Sequence, residues 1–181
     1  MKKIMDNSAI SSMGIEIVCT NMLDTVSSQY DVLVTNAVLK ECQKLGNSSL
    51  LNRVNKFNIA VQENDLFTSL VEAIKSINFR LGPGEIHTIA ASLILTKNGI
   101  DNYVVIDESL ARKIVKTIHL NPTIIKLMGN NLVPVKCTGT IGIIAHLRDK
   151  GIISKDLAHK IAYDLEISNF RVTDDLLNLL R

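Results

Sequence analysis

Short β-branched apolar runs alternate with helical patterns along the whole chain, and this alternation constrains the fold more than any other feature. Residues 2–6 (KKIMD), 31–35 (DVLVT) and 103–107 (YVVID) each read as a buried strand ending at a polar residue. VPVKCT at 133–138 supplies a further strand, and KFNIAV at 56–61 a short one. Helices are expected from residue 7 to about 26, after Thr35 or Asn36, over 63–77, after the Gly82-Pro83-Gly84 turn, after Asp107, and over 139–150, 154–167 and 173–181. Residues 47–55 are polar and mixed, and 121–132 read as a short helix or an irregular segment. Strands separated by helices need crossover connections, so the fold class is α/β, with a mainly parallel sheet covered by helices on both faces.

A chain of 181 residues with 46% hydrophobic content fits one domain over 1–181. The net charge of +2 is too small to diagnose a polyanionic partner. Aromatics make up 4% with no Trp, which argues against a broad base-stacking platform but leaves a groove that tracks a nucleic-acid backbone. Cys19, Cys42 and Cys137 form no CxxC pair and read as free thiols in a reducing compartment. His87, His119, His146 and His159 show no metal-ligand spacing. Asp6 and Glu16 interrupt the first apolar stretch too early for a signal peptide, and no apolar run approaches the roughly 18 residues of a membrane span. The expectation is a cytoplasmic protein with no membrane partner.

Four acids stand where strands or helices meet loops: Asp6 ends the first strand, Asp107 ends a later one, Glu85 opens a helix, and Glu41 lies among apolar positions of another. In an open parallel sheet, ligands bind beyond the carboxyl ends of the strands, so Asp6 and Asp107 converge if their strands are neighbours. Each pair of carboxylates roughly 5 Å apart costs about 3 kcal/mol at an effective dielectric near 20. A cluster of four therefore implies raised pKa values or a divalent cation, and a cation implies phosphate chemistry. Taken singly, Asp6 before Asn7-Ser8 and Asp107 before Glu108-Ser109 also read as helix caps, Glu85 as a first-turn acid, and Glu41 as the partner of a nearby cation. The Gly82-Pro83-Gly84-Glu85 turn is no phosphate loop, since it lacks the Gly-Lys-Ser/Thr ending and places an acid in the first helical turn. Arg112, Lys113, Lys116, Lys126, Lys136, Arg148 and Lys150 fall in the later half, either as a phosphate-contacting surface or as solvated helix faces. Arg112 has the planar fork that suits phosphate, or pairs with Glu108.

The motifs MDNSAI, the acid in VLKEC, GPGEIHTIAAS, VVIDESLARKI and CTGTIGIIAHLRDKGII resemble the PIN-domain family, in particular archaeal and bacterial relatives of VapC-type toxin ribonucleases. The resemblance covers roughly residues 3–180 and keeps the motif order. It implies a three-layer sandwich and a metal-dependent site acting on single-stranded RNA or on exposed loops of structured RNA. Asp6, Glu41, Glu85 and Asp107 match the family's acidic positions. Glu85 stands where an Asp is common, Val105 where many members carry Thr, and residues 121–135 are longer than the usual link, an insertion able to shape a channel, form a dimer contact or cover the sheet edge.

On this reading Asp6, Glu85 and Asp107 hold Mg²⁺ or Mn²⁺. Glu41 positions the water or a second ion, with Glu108 a weaker candidate, and Arg112 meets the phosphate. Ser8, Thr138 and Thr140 orient the ligands. A cognate antitoxin and a homodimer are the protein partners implied. Two other functions compete: a PIN-like RNA-binding or regulatory module without turnover, and a metal-dependent phosphohydrolase of small phosphoesters.

Overall fold

The computed structural model describes residues 1–168, 170 and 173–181. Its strands are β1 (Lys2–Met5), β2 (Asp31–Val34), β3 (Asn58–Ile59), β4 (Asn102–Val105) and β5 (Lys136–Thr138). They form one sheet in the order β3-β2-β1-β4-β5, with every neighbouring pair parallel. The helices are α1 (Asn7–Ser11), running into a π-helical segment Ser12–Glu16, α2 (Met22–Gln29), α3 (Asn36–Lys44), α4 (Ser48–Val54) and α5 (Asp65–Ile77). There follow α6 (Pro83–Lys97), α7 (Ser109–Thr117), α8 (Pro122–Met128), α9 (Thr140–Asp149), α10 (Lys155–Ile167) and α11 (Asp174–Leu177).

Parallel strands buried on both faces need apolar residues on both, and the sequence meets that demand by alternation. Ile4, Leu33 and Val104 pack against Phe67, Leu70 and Ile74 of α5, Ile89 and Leu93 of α6, and Val115 of α7. Met5, Val34 and Val105 face the other way, against Ile10 of α1, Val26 of α2, Ile144 of α9 and Ile161 of α10. The result is a three-layer α/β sandwich, helices over sheet over helices. Among the described residues, no helix is long and apolar enough to cross a membrane.

Four segments depart from expectation. Residues 47–55 hold a helix, α4, capped by Asn47, whose side chain accepts from the Leu50 amide at 2.9 Å; only Leu50 and Val54 anchor it, too few apolar positions to show a period. The helix expected from 7 to 26 breaks at 17–21, because the amides of Val18 and Cys19 donate to Oδ2 of Asp164 at 2.9 and 2.8 Å. α6 is buried nearly all round, Thr88 and Ser92 included, so its expected apolar stripe is the visible part of a helix enclosed by other elements. The last helix ends at Leu177 and turns, with Leu180 buried. In the 121–135 segment, Ile124, Met128 and Val135 join the α5–α6 side of the core.

Asp164 is 7% exposed and ties the 17–21 break to α10. Asp164→Ala leaves two amides without their charged acceptor, and unfolding in urea should show a loss of about 2–4 kcal/mol. Asp164→Asn, which keeps one oxygen, should lose less; an alanine variant of wild-type stability would show that this tie contributes nothing.

Candidate active site

The strand order reverses direction between β1 and β4: β2 and β3 lie on one side of that boundary, and β5 on the other. Such a switch point opens a crevice at the carboxyl ends of the strands. Asp6 is the first residue past β1, its amide bonded to Val105 O at 3.0 Å, and Asp107 follows β4 by two residues. Ser8 links them. Its hydroxyl donates to Asp6 Oδ2 at 2.8 Å and accepts from the Asp107 amide at 3.3 Å, while its own amide donates to Asp6 Oδ2 at 3.2 Å. The capping role read for Asp6 is therefore real, yet it occupies one oxygen only. Oδ1 is buried and has no hydrogen-bond partner among the described residues.

Glu41 approaches that orphaned oxygen from α3. Its Oε1 accepts from the Gly84 amide at 2.8 Å. A Cβ placed on Gly84 would stand 2.4 Å from Glu41 Oε2 and 3.0 Å from Asp6 Oδ1, so the two oxygens lie no farther apart than the sum of those distances. The bare Cα of Gly84 is what lets the two carboxylates meet. Burial, first of all, pushes Asp6 up to about 6; the Ser8 and Asn7 hydrogen bonds oppose this, and the Glu41 charge adds to it.

Glu85 and Asp107 are held slightly apart from that pair. Glu85 Oε2 folds back to accept from the Gly82 amide at 2.7 Å, one half of a capping box at the start of α6, since Gly82 has no side chain to return the bond. Burial raises Glu85 to about 7 against that bond, and the charges of Asp6, Glu108 and Glu41 raise it further. Asp107 accepts from the Thr140 amide at 2.7 Å through Oδ1 and from the Thr140 hydroxyl at 2.6 Å through Oδ2. Burial raises its pKa, while the Thr140 bonds, Arg112 and Ser12 hold it down.

Among the described residues, no three acidic, His or Cys side chains are gathered tightly enough to hold a metal ion as they stand. The four acids form a close pair, Asp6 with Glu41, flanked by Glu85 in its cap and Asp107 on Thr140. The donor set is nonetheless right for a hard cation: all oxygen, with one buried oxygen that has no partner among the described residues and a second carboxylate beside it.

Arg112 makes no ion pair with Glu108 among the described residues. Its Nη1 lies 3.6 Å from where a Gly139 Cβ would stand, beside Asp107 Oδ1, and it lines a cavity of about 190 Å³ with Asp107, Thr138, Ile141 and Phe170. Glu108 is exposed and acts on Glu85 only through its charge. Thr140 orients Asp107 as expected. Thr138 does not, because its hydroxyl turns to the Gly139 carbonyl at 3.4 Å. Lys136 is paired with Asp101 at 2.5 Å and Arg148 with Asp149 at 2.8 Å, which takes two members out of the expected basic surface.

Sequence reasoning missed Ser12, Glu16 and the role of Gly84. Ser12 is 1% exposed, donates to Ser8 O at 2.8 Å and supports the Asp107 carboxylate. Burial raises Glu16, a hydrogen bond from Ser168 opposes, and the Asp107 charge adds to the rise. Ser8, Ser12 and Glu16 recur every fourth residue, a one-face spacing that could have flagged them. Comparison with protein-family models, with curated proteins and with solved structures finds no match to this chain.

Proposed function

We propose that the chain is a metal-dependent endoribonuclease of the PIN-like type, cleaving phosphodiester bonds in single-stranded or loop RNA. One observation carries the proposal: at the switch point of a parallel sheet, a buried Asp6 oxygen without a partner among the described residues faces Glu41 across a bare glycine. Two carboxylates so placed repel each other, and a cation between them relieves that repulsion. Asp6 and Glu41 would hold Mg²⁺ or Mn²⁺, with Glu85 and Asp107 completing the set. Such an ion supplies Lewis acidity at the phosphate and a water of lowered pKa. Ser8 fixes the Asp6 rotamer, Thr140 fixes that of Asp107, and Arg112 receives a non-bridging phosphate oxygen through its fork. Incubation of single-stranded RNA with the purified chain should give cleavage with Mn²⁺ or Mg²⁺ and none with EDTA; cleavage that persists in EDTA would overturn the proposal.

The separation of Glu85 and Asp107 from the Asp6–Glu41 pair favours a second reading, an RNA-binding module without turnover. RNA bound tightly and recovered intact in Mn²⁺ would select it.

The pH dependence of stability reports on the same cluster. Asp6 and Glu85 have folded pKa values raised to about 6 and about 7, so between the unfolded carboxylate range and pH 7 the native state holds more protons than the unfolded chain. Stability contributed by these groups therefore falls as pH rises through that window. In EDTA, the urea midpoint should increase on acidification from pH 8 towards 5, and Mn²⁺ at pH 8 should restore it by binding the native state. A midpoint that is flat or falls on acidification would contradict the crowding of these acids.

A further inference from the structure

Lys3 is a lysine in the middle of the sheet. It lies on β1, in register with Val32 of β2 and Tyr103 of β4, and is 5% exposed. Its neighbours along that face, Met5, Val34 and Val105, are core residues. Nζ stands 3.9 Å from the centre of the Tyr103 ring and 5.0 Å from that of Tyr30. It makes no hydrogen bond or ion pair with any described residue. Asp101, the acid whose field reaches it, has its carboxylate on Lys136 Nζ at 2.5 Å, and Lys2 takes Asp31 at 2.8 Å.

Beside Lys3 is a cavity of about 190 Å³, lined also by Tyr30, Tyr103, Thr138, Gly142 and His146. That is smaller than the roughly 300–1,000 Å³ of pockets for drug-sized ligands, so it suits a group of a few heavy atoms. Aromatic faces attract the charge of an ammonium but accept none of its three N–H bonds in the ordinary way. A buried cation left in that state is costly. Burial brings Lys3 down to about 8; Asp101 opposes the shift and Lys136 adds to it. At neutral pH the amine is still mostly charged, and among the described residues no carboxylate pairs with it directly.

We propose that this cavity binds a small oxyanion, a phosphate group above all, with the Lys3 ammonium as its charge anchor. Three hydroxyl-bearing side chains and an imidazole line the same space, and a tetrahedral oxyanion has acceptors for several donors at once. Thr138 and Gly142 also wall the cavity at Asp107 and Arg112. Two sources of the phosphate follow: the free inorganic ion, or, if the ribonuclease proposal holds, the terminal phosphate of a strand lying at that site. Gly142 keeps the shared wall thin, since a Cβ there would stand 2.4 Å from Thr138 Oγ1.

The test is a phosphate titration of the full chain in EDTA, at constant ionic strength with chloride as the control. It is followed by the NMR signals of the lysine ε-methylenes, with Lys3 assigned by its absence in Lys3→Met. The groups facing Lys3, namely Asp101, Lys136, Tyr30, Tyr103 and His146, are titrated in the same series. Expected is saturable movement at Lys3, with its titration displaced upward by about one pH unit, a tenfold preference of phosphate for the charged amine. Lys3→Arg should still bind phosphate and Lys3→Met should not. Movement at Lys3 no greater in phosphate than in chloride overturns the proposal, as does phosphate binding undiminished in Lys3→Met; the first of these needs only the unaltered protein. RNA oligonucleotides with and without a terminal phosphate then separate the sources: a Lys3 response only to the phosphorylated strand assigns the strand end, and equal responses assign the free ion. Because metal is absent throughout, failure of the ribonuclease proposal leaves the phosphate result standing.

Discussion

Asp6→Asn should abolish metal-dependent RNA cleavage, by about a thousandfold or more, while making the metal-free protein more stable. The loss follows from removing the charge of the most deeply buried carboxylate in the site, an electrostatic contribution of the kind that is worth the most where water is excluded. The gain in stability has a separate cause. Asp6 is 3% exposed, its folded pKa is raised to about 6, and at pH 7 its charge is kept in a place that disfavours it. An asparagine caps a helix as well as an aspartate does. Its oxygen can take the bonds from the Ser8 amide and hydroxyl, and its amide hydrogens can point at Glu41 Oε2. Relief of about two pKa units of strain corresponds to a stabilisation on the order of 2 kcal/mol at pH 7. A helix cap and nothing more would predict no change in either quantity. Cleavage rates with Mn²⁺ and urea midpoints in EDTA, measured on one preparation, decide between them; retention of activity would remove Asp6 from the site.

Gly84→Ala should reduce cleavage by about a hundredfold and lower stability by about 1–3 kcal/mol, the cost of one buried amide left without its carboxylate acceptor. The added Cβ falls 2.4 Å from Glu41 Oε2 and 3.0 Å from Asp6 Oδ1, so one carboxylate must withdraw. Glu41 is the one that can, because its oxygens end a flexible side chain on a half-buried helix face, whereas Ser8 grips Asp6. Withdrawal breaks the Gly84–Glu41 hydrogen bond of 2.8 Å and separates the pair. A displacement of about 1 Å in a reacting group is enough for a loss of that size. The backbone itself has no objection, since Gly84 is not among the glycines with positive φ, and alanine suits a helix interior better than glycine. The stability loss should therefore stay within that of one hydrogen bond, while the activity loss reports the separation of the pair. A variant as active as the parent would mean that contact between Asp6 and Glu41 is incidental.

The strands were legible because a parallel strand covered on both faces must be apolar at successive positions, and DVLVT and YVVID are. The acids that end KKIMD and YVVID were legible for the same reason, since a charge at the end of such a run has one place to go, the open edge of the sheet. α4 was not legible: SSLLNRV offers two buried anchors and owes its start to Asn47. The break at 17–21 was beyond reach, because the residue that holds it, Asp164, is 146 positions away from Val18. The lysine in the first strand was visible only as a charge in an apolar run, and its two aromatic neighbours come from β4 and from the residue before β2.

The sequence by itself determined the class of fold and the identity of the acids, because burial on two faces and the chemistry of a carboxylate are properties of local composition. Only the tertiary structure decided how those acids group. Four equivalent carboxylates in the sequence become a pair and two flanking members, since Glu85 finds the amide of Gly82 within its own turn, Thr140 claims Asp107, and Gly84 leaves room for Asp6 and Glu41 alone. Those partners are set by how α3, α6 and α9 pack against the ends of β1 and β4, and a spacing in sequence carries no record of that packing.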